Sequence, residues 1–200
     1  MNFNYLVWGP FIMHVQVNNE LVDKLMCEGT TKSHNHELAG HLKHQYKYND
    51  DTAKWFYSQT KSLWQLYAKE MTKYHGSNHP VPEYGYGDLW VNFMKPGDFN
   101  PEHIHGGDLS FVLFLDVPKE LKKEQDEFEG TSPPPGSLTF SYGQKVKDGW
   151  TTTAHAVQPK TGDLWIFPSL THHSVMPFKS DITRVSVSGN LKSNLIYDNI

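Results

Sequence analysis

The chain of 200 residues has one cysteine, one arginine and no long uninterrupted apolar stretch. A single cysteine, Cys27, cannot form a disulfide within the chain, so we expect a reducing intracellular setting. No apolar run approaches the length of a membrane span, and we expect no membrane partner. The net charge of −4 with neutral histidines supplies no basic field, so nucleic acid is not expected as a partner either.

The scarcity of arginine is informative because the chain has 18 basic residues and only Arg184 is not a lysine. A lone arginine suits the two-pronged recognition of a carboxylate or phosphate, which lysine performs poorly. A lysine-biased genome would leave the same count by chance, and composition does not separate these two interpretations.

The first 80 residues predict a strand over 8–17 and two helices. The segment 18–29 predicts a short helix, and the segment 50–76 predicts a long one with Asp50 or Asp51 as its N-cap. The apolar stripe of the long helix, which should pack on a sheet, consists of Phe56, Leu63, Trp64, Tyr67, Met71 and Tyr74. The histidine-rich segment 33–48 fits no single helix or strand face, and we expect its histidines to be solvated.

Beyond residue 80 the sequence changes to short apolar or alternating runs separated by Gly, Pro and Asn. Such runs are typical of strands in a sandwich or jelly roll. The predicted fold class is therefore α+β and mainly β, a single domain over 1–200. In it, residues 1–80 form a helical support packed on one sheet and residues 81–200 form the jelly-roll core. The charged, proline-rich stretch 119–135 is expected to be a mobile loop.

Two pairs of histidines supply the candidate metal ligands. In the stretch PEHIH, an extended chain would project His103 and His105 from the same face. Imidazole is a common ligand of iron, copper, nickel and zinc, although two surface histidines have the same spacing. His172 and His173 follow a second apolar strand, and only one of two adjacent strand residues can face such a site.

These motifs resemble those of the iron(II)/2-oxoglutarate-dependent oxygenases, and more narrowly the small prolyl-hydroxylase-like members of bacteria and phages. That family has a metal-binding His-x-Asp/Glu, a distal His and, further along the chain, an Arg or Lys that grips 2-oxoglutarate. The likeness extends from about Leu89 to Asn190. The motifs that follow the family's order are KPGDFNPEH (95–103), TGDLWIFPSLTHHSV (161–175) and RVSVSGN (184–190).

The resemblance implies a double-stranded β-helix and a dioxygenase that decarboxylates 2-oxoglutarate to succinate while it hydroxylates a substrate. It places the distal ligand at His173 and the 2-oxoglutarate clamp at Arg184, with Ser186 as a further contact. Met94 stands where prolyl hydroxylases often have a tyrosine that helps bind 2-oxoglutarate, and Asn92 or Trp90, which share its strand parity, could substitute. The implied cofactors are Fe(II) and 2-oxoglutarate, with ascorbate as reductant. The implied partners are dioxygen and an unidentified protein or small molecule, a peptidyl proline being one candidate. A homodimer is left open, and the expected location is the cytoplasm, or the host cytoplasm if a phage encodes the chain.

The family pattern also changes at the metal site, because His105 stands where the iron-binding carboxylate is expected. Three outcomes are open at this point: a site of three histidines, a site in which Asp108 folds back across Gly106 and Gly107, or a site completed by water. Strand parity favours His105. Asp108 would then either accept the N–H of a ligating histidine or lie in a solvent-exposed turn.

The missing carboxylate also supports a second hypothesis, a non-catalytic metal- or ligand-binding jelly roll with a structural or virion-associated role. Retention of Arg184 argues against it, since an inactive site needs no carboxylate clamp. A cupin-type metalloenzyme that acts without 2-oxoglutarate is the third hypothesis.

Overall fold

The computed structural model describes residues 9–28, 30–33, 38, 40–76, 82–143 and 153–194. The helices in this part of the chain are α1 (Asn19–Cys27), α2 (Asp50–Tyr74) and α3 (Lys119–Asp126). The strands are β1 (Met13–Gln16), β2 (Thr30–Ser33), β3 (Gln45–Tyr48), β4 (Tyr84–Met94), β5 (Asn100–His103), β6 (Leu109–Asp116), β7 (Leu138–Ser141), β8 (Ala154–Val157), β9 (Asp163–Pro168), β10 (His172–Val175) and β11 (Arg184–Ser193). None of the helices in these ranges has the length and hydropathy that a membrane crossing requires.

The strands form two antiparallel sheets. The larger sheet has seven strands in the order β1-β9-β6-β11-β4-β3-β2, and the smaller has four in the order β5-β10-β7-β8. Strands that are distant in sequence are neighbours in both sheets, as in a jelly roll. The predicted fold class, mainly β with a double sheet, is therefore confirmed.

The two N-terminal helices, α1 and α2, cover one face of the seven-stranded sheet, as predicted. The rings of Phe56 and Trp64 in α2 lie with their centroids 5.4 and 5.1 Å from that of Phe111 in β6. Tyr67 is fully buried in the same cluster, and Leu63 packs at its margin. The predicted apolar stripe of the long helix is thus the surface that contacts the sheet.

The opposite face of the seven-stranded sheet packs against the four-stranded sheet. Phe114 and Met94 from the larger sheet share a second apolar cluster with Phe140 from the smaller one. The ring of Phe140 lies 5.0 Å from that of Phe167, centroid to centroid. Alternate residues of β4, β6, β9 and β11 therefore serve two different interiors, because successive strand residues point to opposite faces.

The long helix begins one residue earlier than predicted. Its N-cap is Asn49, whose side-chain oxygen accepts a hydrogen bond from the backbone N–H of Thr52 at 2.8 Å. Asp50 and Asp51 instead occupy the first turn, where their negative charges interact favourably with the helix dipole. Asparagine and aspartate are comparable caps, so the composition of this stretch did not distinguish them.

Strands β1, β2 and β3 extend the seven-stranded sheet at its two edges, so the first 80 residues are not helical throughout. Of these strands, β1 lies within the strand predicted over 8–17. Strand β3 lies inside the histidine-rich segment, where no pattern predicted it. Of the histidines there, His34 and His36 lie outside the described residues. The exposed His41 stacks on Phe99 with ring centroids 4.6 Å apart.

The stretch 119–135 also differs from the predicted loop, since it contains α3. One side chain, Leu121, is fully buried in the inter-sheet cluster. Gln125 is buried too, and its amide nitrogen donates to the carbonyl of Pro135 at 2.9 Å. A helix that buries so few apolar side chains has the composition of a solvated loop. Mobility of this segment stays a prediction.

Candidate metal centre and its cavity

Three imidazole rings meet at the ends of β5 and β10. His103 ends β5 and pairs with His173 of β10 in the antiparallel ladder, and His105 follows two residues after His103. Their ligand nitrogens lie within 4.8 Å of one another. In the described part of the chain this is the one group of three or more His, Cys, Asp or Glu side chains close enough to share a metal ion. The structure therefore brings together the three histidines that the sequence predicts as ligands.

Backbone carbonyls orient two of these rings. His103 Nδ1 lies 2.7 Å from the carbonyl oxygen of Pro101, and His173 Nδ1 lies 2.9 Å from that of Thr171. Because a carbonyl only accepts, Nδ1 carries the proton in both rings and Nε2 keeps its lone pair. Nε2 of His173 lies 3.2 Å from Nε2 of His105, so the nitrogens available to a metal converge.

His105 and His173 are neutral at pH 7. Burial, followed by the neighbouring His173 and His103, lowers the pKa of His105 from 6.5 to about 3. Burial and His103 lower the pKa of His173 to about 4. At pH 7 these two rings therefore present lone pairs rather than charged N–H groups. Neutral imidazoles are ligands of iron, nickel, copper and zinc, so this donor set fits a divalent transition metal.

His172 lies outside the cluster. It is exposed, and its Nδ1 lies 3.4 Å from a carboxylate oxygen of Glu102. Its neighbour His173 is only 5% exposed, because adjacent strand residues point to opposite faces. The prediction that one of the two enters the site, and that this one is His173, agrees with their positions.

Asp108 also lies outside the cluster. It is exposed, and its Oδ2 accepts a hydrogen bond from the backbone N–H of Ser193 at 2.6 Å. Its own N–H donates to the carbonyl of Leu191 at 2.9 Å. The preceding Gly107 has φ of 100° and lies so close to β11 that an added Cβ would come within 2.9 Å of the Leu191 oxygen. Asp108 thus fastens the turn after His105 to β11.

Arg184 reaches the inner end of the cavity and is 3% exposed. Its Nη1 donates to the carbonyl of Gly136 at 2.7 Å, and its Nη2 lies 3.0 Å from the sulfur of Met94. Its Nε has no hydrogen-bond partner among the described residues. Burial lowers the pKa of Arg184 to about 10, so the side chain is still a cation at pH 7. A buried cation with an unpaired donor is suited to an anionic ligand.

The predicted 2-oxoglutarate contacts Asn92 and Ser186 line the same cavity, on the neighbouring strands β4 and β11. Asn92 is held on both sides of its amide. Its oxygen accepts from Gln45 Nε2 at 2.8 Å, and its nitrogen donates to Ser188 Oγ at 3.2 Å. Both predicted residues are buried polar groups: Ser186 shares the strand face of Arg184, and Asn92 lies opposite Ser186 in the ladder.

Three contributions to the cavity were missed from the sequence. Gln45 enters from β3, which had no recognisable pattern beyond the alternation in QYKY. Asn100 lines the cavity, and its side-chain oxygen has no partner among the described residues. Gly136 acts through its backbone carbonyl, and no side-chain motif can reveal such a contact.

The cavity has two parts that share His103 and His105. The inner part, about 50 Å³, leads to Arg184. The outer part is a cleft of about 660 Å³ that opens to solvent. Tyr86 and Ile104 line the cleft with 60% and 46% of their surface exposed, which is high for apolar side chains. The arrangement separates a small anion site from a larger site for a second ligand, with the candidate metal centre between them.

Comparison with known proteins agrees with this geometry. Residues 88–190 match the family model of the 2OG-Fe(II) oxygenases, in which 2OG stands for 2-oxoglutarate. That range includes all three histidines and Arg184. No curated protein matches the chain in sequence.

Three solved structures are similar in fold. A prolyl-4-hydroxylase of Pseudomonas putida has a TM-score of 0.53 and 17% identity, with 90% of this chain and 91% of that chain covered. A viral collagen prolyl hydroxylase of Paramecium bursaria Chlorella virus-1, in complex with 2-oxoglutarate, has a TM-score of 0.57 and 14% identity, with coverages of 92% and 96%. HygX of Streptomyces hygroscopicus, with nickel and 2-oxoglutarate bound, has a TM-score of 0.54 and 9% identity, with coverages of 92% and 83%.

Proposed function

Since this chain belongs to the 2OG-Fe(II) oxygenase family, we propose that it is an Fe(II)- and 2-oxoglutarate-dependent dioxygenase that hydroxylates a side chain of a protein or peptide. The observation that carries the proposal is the placement of three histidines, of which His105 and His173 are neutral at pH 7, and one buried arginine in a single cavity. A metal centre and an anion site are the two components that such a reaction needs.

His103, His105 and His173 would hold the metal, and the carbonyls of Pro101 and Thr171 keep two of these rings in the ligating tautomer. When bound, iron(II) supplies the redox chemistry by which 2-oxoglutarate and dioxygen yield succinate, carbon dioxide and a hydroxylated product. Ascorbate, as reductant, would keep the iron in the ferrous state.

Arg184 would bind the distal carboxylate of 2-oxoglutarate. Its unpaired Nε supplies one donor, and Ser186 Oγ and Asn92 in the same cavity supply polar contacts beside it. The contacts of Arg184 with Gly136 and Met94 fix the direction of the guanidinium before the ligand arrives. Burial of the whole group excludes water, which strengthens a charge-assisted hydrogen bond.

The outer cleft would receive the substrate. Its volume of about 660 Å³ is large enough for a side chain together with the backbone that carries it. Two of the similar folds belong to prolyl hydroxylases, one described as a collagen prolyl hydroxylase, and they support a peptidyl proline as the first substrate to test.

The test is succinate formation by the protein reconstituted with Fe(II), 2-oxoglutarate and ascorbate under air, over a panel of proline-containing and other peptides. We expect turnover in the wild type and its loss in His173→Ala. The matched control is His172→Ala, which removes the adjacent exposed histidine and should retain turnover. Absence of succinate with every substrate, together with unchanged iron binding in His173→Ala, would refute the proposal.

One observation favours a second candidate, a metal- and ligand-binding protein without catalysis. No carboxylate belongs to the histidine group in the described residues. This alternative predicts that metal and 2-oxoglutarate raise the melting temperature without any formation of succinate. A cupin-type enzyme that needs no 2-oxoglutarate would instead remain active as Arg184→Ala.

A further inference from the structure

The inner cavity has an unusual charge composition for a metal site. Among the described residues that line it, Arg184 alone is charged and none is acidic. The three candidate ligands are imidazoles, which bring no negative charge when they bind as neutral rings. A divalent metal in this cavity would therefore add two positive charges beside an arginine that is already buried.

Three acidic side chains that line the cleft or lie close in sequence to the candidate ligands already have other partners. Asp88, at the mouth of the cleft, forms a 2.6 Å ion pair with Lys47. Glu102 faces the exposed His172, and Asp108 accepts the N–H of Ser193. None of these three lines the inner cavity. Compensation of the metal's charge must come from a ligand that enters the cavity.

2-Oxoglutarate carries two carboxylates and matches this requirement. One carboxylate and the 2-oxo group can chelate a metal at the histidines, while the other carboxylate reaches Arg184. Like charges that are buried close together repel strongly because the interior screens them poorly. Without 2-oxoglutarate, the positive charges of Arg184 and of a bound metal both stay uncompensated. The dianion offsets both charges at once.

We propose that the divalent metal and 2-oxoglutarate bind this cavity as a strongly cooperative pair, because the dicarboxylate replaces the anionic side chain that His105 displaces. This inference rests on the proposed function. Binding linkage is reciprocal, so each ligand raises the affinity of the other by the same factor. The protein would thus hold its metal weakly when 2-oxoglutarate is scarce, and the metal content of the site would follow the 2-oxoglutarate concentration.

His105 is the residue that sets this coupling. The substitution His105→Asp adds one negative charge at the candidate metal position. We expect the variant to bind metal more tightly in the absence of 2-oxoglutarate. We also expect the gain on adding 2-oxoglutarate to become smaller, since part of the charge is already compensated.

The experiment is isothermal titration of the metal-free protein with Ni(II), which is redox-inert, with and without saturating 2-oxoglutarate. Blank titrations correct for the complex that nickel and 2-oxoglutarate form in solution. We expect 2-oxoglutarate to lower the nickel Kd at least tenfold more in the wild type than in His105→Asp. The control His172→Ala should behave as the wild type does. A second measurement replaces 2-oxoglutarate with 2-oxobutyrate, which chelates in the same way but lacks the distal carboxylate, and we expect it to give much weaker coupling.

The outcomes separate the two proposals. If 2-oxoglutarate binds but lowers the nickel Kd equally, within twofold, in the wild type and in His105→Asp, the cooperative pair is refuted and the proposed function survives. If 2-oxoglutarate does not bind even with nickel present, the proposed function itself fails. Should His105→Asp not fold, the wild-type comparison with 2-oxobutyrate decides: equal coupling by both acids refutes the inference.

Discussion

The two faces of β11 have opposite chemistry although they belong to the same strand. Val185 and Val187 point to the helices and are almost completely buried in the apolar cluster there. Arg184 and Ser186 point between the sheets and are equally buried, but they are polar and line the cavity. Burial alone therefore does not distinguish the core from the site. The difference lies in the chemistry of the buried side chains, which are apolar on the helix face and polar or charged on the cavity face.

On the helix face, aromatic rings pack at close range and bury surface without leaving charge behind. On the cavity face, Arg184 Nε and Asn100 Oδ1 are buried without a partner in the described chain. A buried polar group without a hydrogen bond costs stability, and such groups persist where a ligand can satisfy them. We infer that one face stabilises the fold while the other is shaped for binding, and substitutions on the two faces should change different measurements.

The largest effect is expected from Phe111→Ala on the helix face. Phe111 is 1% exposed and contacts Phe56, Tyr57 and Trp64. Loss of a buried phenylalanine should lower the free energy of unfolding by about 3–5 kcal/mol. Urea denaturation of the ligand-free protein measures this. A loss below about 1 kcal/mol would mean that the helix face is not the main stabilising interior.

On the cavity face, Arg184→Lys should weaken ligand binding strongly and change stability little. Lysine keeps the charge but loses the planar fork, so the Kd for 2-oxoglutarate should rise about 100-fold in the nickel-loaded protein. The free energy of unfolding should change much less than in Phe111→Ala. The control Lys192→Ala removes a cation from the outer cleft and should leave this Kd within about threefold. A Kd for Arg184→Lys within about threefold of the wild type would show that Arg184 acts only through its positive charge.

Gly107→Ala tests the turn that follows His105 and leads into β6. Its φ of 100° and the 2.9 Å approach of an added Cβ to the Leu191 oxygen both oppose a side chain. We expect a loss of about 1–3 kcal/mol in the free energy of unfolding. Gly106→Ala is the matched control, because nothing lies within 4 Å of a Cβ there. Similar losses in both variants would argue against strain at Gly107 as the cause.

Much of this division could be predicted from alternation in the sequence. The pattern of RVSVSGN already assigns Arg184 and Ser186 to one face and the valines to the other. His103 and His105 obey the same period, as their shared cavity shows. Period-2 patterning works here because the central strands are long and paired on both sides.

The elements that could not be predicted are those that contribute backbone atoms or single side chains. Strand β3 provides Gln45 from four residues whose burial is mixed, so no periodicity marks it. Helix α3 buries Leu121 in a sequence that is otherwise charged. The contact of Arg184 with the Gly136 carbonyl depends on how that segment folds back, which local sequence does not encode.

A smaller effect is expected from Asp108→Ala, which tests whether Asp108 holds the turn or binds the metal. If it fastens the turn to β11, Asp108→Ala should lower the free energy of unfolding by about 1 kcal/mol, the usual size for one hydrogen bond. The nickel Kd should then stay within about threefold of the wild type. His105→Ala should weaken nickel binding far more. A loss of nickel binding in Asp108→Ala that equals the loss in His105→Ala would instead identify the aspartate as a ligand.

The smallest effect is expected from Glu124→Gln in α3. The carboxylate accepts hydrogen bonds from Ser180 Oγ at 2.6 Å and from the N–H groups of Ser180 and Lys179 at 2.8 and 2.9 Å. Partial burial acts to raise the pKa of Glu124, but these hydrogen bonds outweigh it and lower the pKa below its ordinary value. They connect α3 to the segment that leads into Arg184.

Because the folded protein lowers this pKa, the ionised Glu124 stabilises the fold above the unfolded-state pKa of about 4.3, and the contribution disappears as the pH falls through the lower folded value. Solvent screening limits it, so Glu124→Gln should cost less than about 1 kcal/mol at pH 7. Urea denaturation of both proteins from pH 7 to pH 3 should show the difference shrinking towards zero at the acidic end. A difference that is independent of pH would mean that the carboxylate's charge does not hold α3 in place.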